Sequence, residues 1–463
     1  MMRSKRVLQC IASGVAPALL AVLACNSGER VDPSDDHAVA SGGEGDAGDD
    51  EGDGEGEGSS GAPSENLDLG LPEDSGTVTP AIEFSYIWIA NTPEGTVSKI
   101  NTQTRQEEGR YLTGPRGVAE DPSRTSVNLE GDMVVVNRAG GITKINAVVE
   151  HCDDKDGDGE IRTSTASDDV LPWGEDECVA WNRTLKAGSR PAAWTSGEKS
   201  DDPDSGSAVF RDPKVWTSEP ESPMGPSENV IVYLLDGDDG AIEGEVTIPG
   251  IDAGLGIYGA AVDSNNDFWG ASMTVADAGP KLIHVSREDL SQVEVIPIPN
   301  GEAYGITVDA KNRVWLGCLA GGMLQRYEPA SGAWTQVDLT GLEDSYRVQW
   351  IRGMMEDANG ELWAAVAASE AKGGLLRVDT DTATILDYLD YTTLTEIRTP
   401  TGTSIDIDGY VWLVDQEMLD VGGAFVVDPD TYEYELVTGL VSPYTYSDMT
   451  GAGLKNVAEP PEG

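Results

Sequence analysis

Four segments in the second half of the chain share one pattern, and their spacing limits the folds that the chain can adopt. Each has a glycine, an apolar run that ends in an acidic residue, a polar turn and a tryptophan. The segments read YGAAVDSNNDFW, YGITVDAKNRVW, IRGMMEDANGELW and PTGTSIDIDGYVW, and their tryptophans (Trp269, Trp315, Trp363 and Trp412) lie 46, 48 and 49 residues apart. Short strands in a repeat of this length are typical of the blades of a β-propeller.

The number of strands in each repeat supports the same fold. After the tryptophan strand come a third strand, a turn rich in Asp, Pro, Ser and Thr, and a fourth strand. Extended upstream, the register places Trp88, Val134 and Trp216 at the equivalent position, which gives seven units. The sequence therefore predicts an all-β, seven-bladed β-propeller with four-stranded blades over residues 81–458.

Two parts of the chain depart from the regular spacing. The interval between Val134 and Trp216 is 82 residues, so we expect an insertion in the third blade, at about residues 150–180. The residues from Tyr444 to Leu454 form a further strand-like tail. We expect this tail to pair near Phe84 and close the ring, because closure removes an exposed sheet edge.

The repeated aromatic and acidic residues are assigned to the fold. One large aromatic residue per blade at a fixed strand position indicates core packing between sheets, with a stacked cofactor as the alternative. Acidic residues end the first strand of each repeat and are expected to cap the turn that follows. They are Asp263, Asp309, Asp406 and either Glu356 or Asp357.

The N-terminus has the features of an export signal. Residues 1–24 begin with a basic region and continue as an interrupted apolar run, which ends Val-Leu-Ala before Cys25 and so resembles a bacterial lipobox. The run is too short and too interrupted for a good membrane span. We therefore expect a lipoprotein signal peptide and acylation of Cys25, and Asn26 implies, by resemblance, the outer membrane. A cleaved secretory peptide with an incidental cysteine is the alternative.

Charge limits the partners of this chain. It has 82 acidic and 30 basic residues, for a formal charge of −52. Such a chain repels phosphate backbones, which argues against nucleic-acid binding and favours cations or cationic partners. Residues 25–80 include an acidic, glycine-rich stretch that cannot bury a core, and they are predicted to be a disordered tether.

Export would place the remaining cysteines in an oxidising compartment. Cys152 and Cys178 are expected to form a disulfide there. Cys318 lies in an apolar strand-like run and is expected to be a small buried residue, with a reactive thiol as the alternative.

The insertion contains the opening of a calcium loop. After Cys152 the sequence reads DDKDGDGEI, in which Asp154, Asp156 and Asp158 alternate and a glycine follows. This spacing is typical of an EF-hand-type loop, in which carboxylates and a backbone carbonyl (here of Glu160) bind calcium. The twelfth position is Thr165, so the last ligand must come from elsewhere; the candidates are Asp168, Asp169, Glu175 and Asp176. The alternative is a solvated acidic turn.

The residues before each repeat glycine are candidates for ligand binding. First strands line the channel of a propeller, and the residues at this position are Tyr258, Tyr304, Arg352 and Thr401, with Arg124 in the same region of the second unit. Tyrosine and arginine are typical of recognition surfaces. Packing and hydrogen bonding between blades is the alternative.

Over residues 84–455 these repeats resemble the propellers of the virginiamycin B lyase (streptogramin lyase) family. The resemblance implies a seven-bladed ring, and in that family a catalytic histidine, acidic groups and magnesium open a cyclic ester by elimination. This chain has three histidines, His37, His151 and His284, and none stands near the end of an inner strand. No catalytic residue is therefore carried over, and His284 is expected to be a solvent-facing strand residue.

The sequence favours a monomeric, envelope-anchored propeller that binds a protein, peptide or glycan and is not an enzyme. Calcium is expected in a structural role, and the membrane is contacted through the lipid anchor. A magnesium-dependent carbon–oxygen lyase is the alternative implied by the resemblance. A structural surface protein is a further alternative.

Overall fold

The computed structural model describes residues 85–201, 208–222, 229–251, 256–273, 279–319, 322–340, 342, 348–368 and 372–461. The predicted signal peptide, Cys25, the acidic tether and His37 lie outside these residues. Within them, antiparallel sheets form seven blades around a central channel, and the first strand of each blade packs against the first strand of the next. The predicted all-β, seven-bladed propeller is confirmed.

The strands follow one another in chain order within each blade. Blade one contains β1 (Tyr86–Asn91), β2 (Thr96–Asn101) and β3 (Glu107–Leu112), and blade two contains β4 (Pro122–Val127), β5 (Met133–Asn137), β6 (Ile142–Ile145) and β7 (Val179–Arg183). Blade three contains β8 (Ala192–Trp194), β11 (Lys214–Pro220), β12 (Asn229–Asp236) and β13 (Ile242–Pro249), while β9 (Glu198–Asp201) and β10 (Ala208–Arg211) pair as a separate hairpin.

The last four blades keep the regular repeat. Blade four contains β14 (Ile257–Val262), β15 (Phe268–Ser272), β16 (Lys281–Val285) and β17 (Val293–Pro297), and blade five contains β18 (Glu302–Val308), β19 (Val314–Leu319), β20 (Leu324–Glu328) and β21 (Ala333–Gln336). Blade six contains β22 (Val348–Glu356), β23 (Glu361–Ala368), β24 (Lys372–Asp379) and β25 (Thr384–Asp390), and blade seven contains β26 (Pro400–Ile405), β27 (Val411–Asp415), β28 (Gly423–Val427) and β29 (Tyr434–Val437).

The C-terminal segment from Pro443 to Met449, which we call the closing strand, takes the innermost position of blade one. Three backbone contacts join it to β1: Pro443 bridges Asn91, the Tyr444 N–H donates to the Ala90 carbonyl (3.3 Å), and the Trp88 N–H donates to the Met449 carbonyl (2.9 Å). The predicted closure of the ring by the tail is therefore confirmed, with β1 as its partner. Phe84 lies outside the described residues.

Helical structure is a minor part of the described chain. Helix α1 (Ala452–Ala458) follows the closing strand, contacts the inner strands β18, β22 and β26, and buries Leu454 and Val457. None of the helices in the described residues is long and apolar enough to cross a membrane. Four 3-10 turns lie at Thr92–Glu94, Gly117–Ala119, Val149–His151 and Met418–Asp420.

The extra residues between the second and third units are divided between two blades. Residues 146–178 lie between β6 and β7 and so belong to blade two, whereas the β9–β10 hairpin interrupts blade three between β8 and β11. Blade three therefore carries an insertion as expected, but the insertion is the β9–β10 hairpin; placing the acidic residues 150–180 in blade three is wrong. The strand β7 has no repeat motif that marks it as the last strand of its blade, so spacing alone misplaced the boundary.

The repeated tryptophans are buried between sheets, and the repeated aspartates hold them there. Each of these tryptophans is at most 2% exposed. In four consecutive blades the indole N–H donates to the carboxylate that ends the first strand: Trp269 to Asp263 (3.0 Å), Trp315 to Asp309 (2.8 Å), Trp363 to Asp357 (2.9 Å) and Trp412 to Asp406 (2.8 Å). The other carboxylate oxygen caps the turn, as where Asp357 accepts the N–H groups of Asn359 and Glu361.

Asp357, and not Glu356, is the repeat member in blade six. Glu356 accepts the Ala310 N–H of the preceding blade (2.6 Å) and the Thr380 hydroxyl (3.0 Å). Burial raises the pKa of Glu356 to about 7. This side chain therefore joins two blades, and its role differs from the turn cap beside it.

Blade two replaces both members of the aspartate–tryptophan pair. Asn128 accepts the N–H groups of Glu130 (3.0 Å) and Asp132 (2.9 Å) with its one carbonyl oxygen. Val134 is buried at the tryptophan position. A carboxylate has a second acceptor oxygen, which an amide lacks. In blades four to seven this second oxygen accepts the indole N–H, and with valine in place of tryptophan it would receive no hydrogen bond. The two departures from the repeat are therefore a matched pair.

We expect Asp357→Ala to lower the free energy of unfolding by about 3 kcal/mol, because it leaves three buried or turn N–H groups without an acceptor. Asp357→Asn keeps the turn acceptor and loses the indole bond, so we expect a loss of about 1 kcal/mol. Urea unfolding followed by tryptophan fluorescence measures both values. Asp430→Ala, at an exposed hairpin position, is the control. A fully stable Asp357→Ala variant would contradict the paired role.

Candidate functional site

The glycine of each repeat lies where the innermost strands of neighbouring blades approach closely. A Cβ on Gly305 would lie 1.8 Å from the Arg352 carbonyl oxygen, and one on Gly402 would lie 2.0 Å from the Thr445 carbonyl oxygen. Side chains therefore do not fit at these positions, and glycine keeps the channel narrow. Tyr258, Tyr304 and Thr401, each before its glycine, lie near the start of their inner strands, whereas Arg352 lies in the middle of the longer strand β22.

Four tyrosines meet at one end of the channel, and we call this cluster of Tyr258, Tyr304, Tyr444 and Tyr446 the tyrosine mouth. The ring centroids of Tyr258 and Tyr304 are 4.8 Å apart, those of Tyr304 and Tyr446 are 5.1 Å apart, and those of Tyr444 and Tyr446 are 5.0 Å apart. The Tyr444 hydroxyl lies 3.2 Å from the hydroxyls of Tyr258 and Tyr446 and is hydrogen-bonded to that of Tyr304. Blades one, four and five thus share one hydrogen-bonded cluster.

Three arginines surround the tyrosine mouth. Their guanidinium carbons lie near tyrosine rings: Arg124 is 3.3 Å from the ring centre of Tyr446, Arg190 is 5.1 Å from that of Tyr258, and Arg352 is 5.9 Å from that of Tyr304. Arg124 and Arg352 are only 1% and 7% exposed, whereas Arg190 is half-buried. Aromatic faces attract cations, so the rings provide part of the environment that these charges need.

The hydrogen bonds of these guanidinium groups are incomplete. Each donates to a backbone carbonyl: Arg124 Nε to Tyr258 (3.1 Å), Arg190 Nη1 to Gly188 (3.1 Å) and Arg352 Nη1 to Pro400 (3.0 Å). Each also has a buried nitrogen with no partner among the described residues, namely Arg124 Nη1, Arg190 Nε and Arg352 Nε. Within the described part of the chain, none of the three forms an ion pair with a carboxylate. The mouth therefore has donors and positive charge in excess.

The positive charge changes the acidity of the tyrosines. Burial raises the pKa of Tyr258, but the guanidinium groups of Arg190 and Arg124 outweigh this effect and hold that pKa at about 7. Burial and the charge of Tyr258 raise the pKa of Tyr304 well above its usual range. Tyr258 is therefore the tyrosine that supplies a negative charge to the mouth near neutral pH.

The structure brings together four of the five residues that the sequence placed at a mouth: Arg124, Tyr258, Tyr304 and Arg352. Thr401 occupies the same repeat position but is fully buried, and its hydroxyl donates to the Val414 carbonyl (3.2 Å). Its short side chain forms this hydrogen bond within blade seven and does not join the tyrosine cluster.

Sequence reasoning missed three members of the site, Tyr444, Tyr446 and Arg190. The two tyrosines lie two residues apart on a strand, and this alternation places them on one face. The alternation of the two tyrosines is visible in the sequence of the closing strand. Only the pairing of this strand with β1 shows that the tyrosine face lines the channel. Arg190 comes from an irregular segment before β8 and carries no sequence signal.

A cavity of about 860 Å³ opens at the other end of the ring. Its lining includes the acidic residues Glu356, Asp357 and Asp406, which already accept hydrogen bonds from Thr380, Trp363 and Trp412. These carboxylates serve the fold. The arginines of the tyrosine mouth, by contrast, keep N–H groups without partners among the described residues.

The acidic insertion of blade two is held at both ends. Cys152 and Cys178 form the predicted disulfide, with Cα atoms 4.6 Å apart. The Glu177 carboxylate accepts the N–H groups of Arg162 and Lys155, each at 2.7 Å, on either side of the acidic loop. These backbone hydrogen bonds lower the pKa of Glu177. Sequence reasoning missed Glu177, which is one acid among many in this segment.

The predicted calcium ligands are only partly brought together. Carboxylate oxygens of Asp154, Asp156 and Asp158 lie within 4.8 Å of one another. Neither Asp168 nor Asp169 joins this group, and Asp169 accepts a hydrogen bond from Thr165 (2.7 Å). The Glu160 side chain is also outside the group; its predicted contribution is a backbone carbonyl. Glu175 pairs with Arg162 (3.2 Å), and Asp176 is buried against Thr163 and Ser164. The three carboxylates fit the start of a calcium coordination shell.

The described histidines and the free cysteine lie away from the tyrosine mouth. His284 is only 20% exposed, stacks on Trp269 with ring centroids 4.3 Å apart, and contacts Asp267 (3.0 Å). The expectation that His284 faces solvent is therefore wrong, because the indole covers its ring. His151 lies beside the insertion. Cys318 is buried in β19 as predicted, and burial raises its pKa to about 11.

No known protein family matches this chain, and no curated protein is similar to it in sequence. Among solved structures, the virginiamycin B lyase of Staphylococcus aureus with quinupristin is 15% identical, covers 76% of this chain and 88% of its own, and has a TM-score of 0.43. Hydrazine synthase of Kuenenia stuttgartiensis (10% identical, 76% and 92% covered, TM-score 0.44) and a Bacteroides caccae protein of unknown function (9%, 66% and 93%, 0.41) are also similar. At these identities and TM-scores the similarity gives no information about activity. The assignment of a propeller fold is based on the sheet topology of this chain.

One tyrosine should titrate near pH 7 in the folded protein. We expect a phenolate absorption step with a midpoint near 7 that is absent from Tyr258→Phe and retained in the exposed-site control Tyr391→Phe. Because the unfolded pKa is about 10, the unfolded chain binds more protons between these values. The contribution of Tyr258 to stability therefore grows from pH 7 to 10 and is lost as pH falls through 7. A wild-type titration without the neutral step would contradict the assignment.

Proposed function

We propose that this propeller is a binding module of the cell envelope whose ligand binds at the tyrosine mouth, and that it is not an enzyme. The ligand is a protein, peptide or glycan, or a small molecule derived from one. One observation supports this most strongly: Arg124, Arg190 and Arg352 meet at one tyrosine cluster, and each combines a buried N–H group without a partner with the lack of an ion pair among the described residues. A buried donor without a partner costs free energy, and a ligand that accepts the hydrogen bond recovers it.

The Cys152–Cys178 disulfide supports the part of this proposal that concerns location. Structural disulfides persist in oxidising compartments such as the periplasm and the cell surface. An exported chain with a lipid anchor at Cys25 satisfies this condition. The mouth then faces the periplasm or the outside of the cell.

The proposal predicts ligands whose binding depends on Arg352. We would screen peptides, glycans and small molecules by their effect on the unfolding temperature of the full chain, its Arg352→Gln variant and its Arg211→Gln variant. Arg211 is an exposed arginine on the β9–β10 hairpin and controls for the loss of one positive charge. We expect ligands that stabilise the wild type and Arg211→Gln but not Arg352→Gln. If every stabilising compound acts equally on all three proteins, the mouth is not the binding site.

We further propose that the insertion binds one calcium ion through Asp154, Asp156 and Asp158. The converging carboxylates and the clamp formed by Glu177 support it, since a preorganised loop binds calcium more tightly than a flexible one. The ion would bind the folded loop, and its role would be structural. Magnesium, the cation implied by the lyase alternative, is the control because it demands a stricter octahedral geometry.

Calcium should stabilise the folded chain. At a concentration one hundred times its dissociation constant we expect a gain of about 2.7 kcal/mol, seen as a higher unfolding temperature that a chelator reverses. Asp156→Asn should lose most of this gain, whereas Asp430→Asn, far from the insertion in sequence, should keep it. Asp168→Asn tests whether this predicted ligand completes the shell. The absence of both binding heat and a thermal shift in the wild type would refute the site.

A further inference from the structure

We propose that the tyrosine mouth recognises its ligand through a carboxylate group, which the guanidinium groups of Arg190 and Arg124 hold beside the Tyr258 ring. This inference rests on the proposed function and specifies the chemical class of the ligand. Both guanidinium carbons lie about equally far from the Tyr258 ring centre, at 5.1 Å for Arg190 and 4.9 Å for Arg124. Their unpartnered nitrogens, Arg190 Nε and Arg124 Nη1, are the donors assigned to it.

A fourth arginine at the same cluster also has a buried nitrogen without a partner among the described residues, Arg138 Nε, but its charge is balanced. Arg138 lies 5.0 Å from the Tyr444 ring centre, so it borders the same cluster. It forms an ion pair with Asp121, which supplies the compensating charge. Arg124, Arg190 and Arg352 have no such partner among the described residues. A ligand carboxylate would supply to them what Asp121 supplies to Arg138.

The walls of the mouth favour an organic ligand over a bare inorganic anion. Tyr258, Tyr304 and Tyr446 are each at most 5% exposed, and their rings pack around the charges. Sites of this composition bind ligands with an apolar body and a few polar groups that fix its orientation. A carboxylate has two oxygens, so it can accept one charge-assisted hydrogen bond from each of the two guanidinium groups. With a formal charge of −52, the chain also repels a doubly charged phosphate more than a singly charged carboxylate.

A carboxylate in this position should also change the protonation of Tyr258. The charged and titratable groups around this side chain are Arg124 on β4, Arg190 before β8, Tyr304 on β18, Arg352 on β22, and Tyr444 and Tyr446 on the closing strand. A negative ligand next to the phenolate raises the pKa of Tyr258, so the tyrosine takes up a proton when the ligand binds. Binding should therefore weaken as pH rises above neutral, because the phenolate competes for the same guanidinium groups.

The experiment compares benzoate with benzamide, which has nearly the same shape and no charge. Binding to the full chain is measured by calorimetry in buffers of different ionisation enthalpy, and phenolate absorption is followed in parallel. We expect benzoate to bind, take up a proton at pH 8 and reduce the phenolate signal, whereas benzamide does none of these. Arg190→Gln should weaken benzoate binding by about tenfold or more, because it removes a charge-assisted hydrogen bond. Arg211→Gln should leave it unchanged.

Arg190 is half-buried, so its substitution is the least disruptive of the three; Arg352→Gln is a second variant should Arg190→Gln unfold. Equal binding of benzoate and benzamide, both lost in Arg352→Gln, would overturn the carboxylate inference and leave the binding mouth in place. Benzoate binding that Arg190→Gln does not change would place the anion elsewhere and overturn it. Phosphate binding without benzoate binding would overturn the choice of carboxylate. If neither benzoate nor phosphate binds, the inference fails, and the Arg352-dependent screen alone decides the proposed function.

Discussion

The closing strand is the element on which both the ring and the tyrosine mouth depend. Its side chains alternate between faces, as in any β-strand. Thr445 faces blade one, where its hydroxyl accepts the Ala90 N–H (2.8 Å), while Tyr444 and Tyr446 on either side of it join the cluster in the channel. The strand that removes the open edge of blade one therefore also completes the site. A ring opened at this strand loses two of the four tyrosines at once.

The two ends of the channel handle buried charge in opposite ways. Where the first strands finish, each repeat aspartate such as Asp309 accepts an indole N–H and turn N–H groups. Asp309 and Asp406 also form ion pairs with Arg313 and Arg105, so these negative charges have partners. At the tyrosine mouth, Arg124 and Arg352 lie buried without a carboxylate partner among the described residues. The chain has 82 acidic residues, so this difference does not come from a shortage of acids. It comes from where the fold places them.

The sequence predicted those parts of the fold and of the candidate site that recur in every repeat unit. The tryptophan spacing predicted the blades, and the position before each glycine predicted Tyr258 and Tyr304, because both units place this offset at the same end of the inner strand. The repeat did not predict the site correctly where a unit has a different residue at the shared position, or where a blade takes a strand from a distant part of the chain. Thr401 shares the offset, but its side chain is too short to reach the cluster. Tyr446 belongs to a unit whose other strands lie some 350 residues away in sequence. The sequence predicted this closing pairing, but it did not show that the Tyr446 side chain enters the channel.

Holding three guanidinium groups at the tyrosine mouth without a carboxylate partner costs folding free energy, so we infer that the mouth has a role other than folding. Blade two shows that the fold drops a charge when its partner is gone: Val134 replaces the indole, and Asn128 replaces the carboxylate that would have bonded it. The mouth does the reverse and keeps three guanidinium groups, although a buried charge without a partner is destabilising. The phenolate of Tyr258 neutralises one of them at most. Departures from local rules are concentrated at functional sites. The rings and backbone carbonyls compensate the three guanidinium groups only in part, and a ligand that brings its own negative charge would balance the remaining charge.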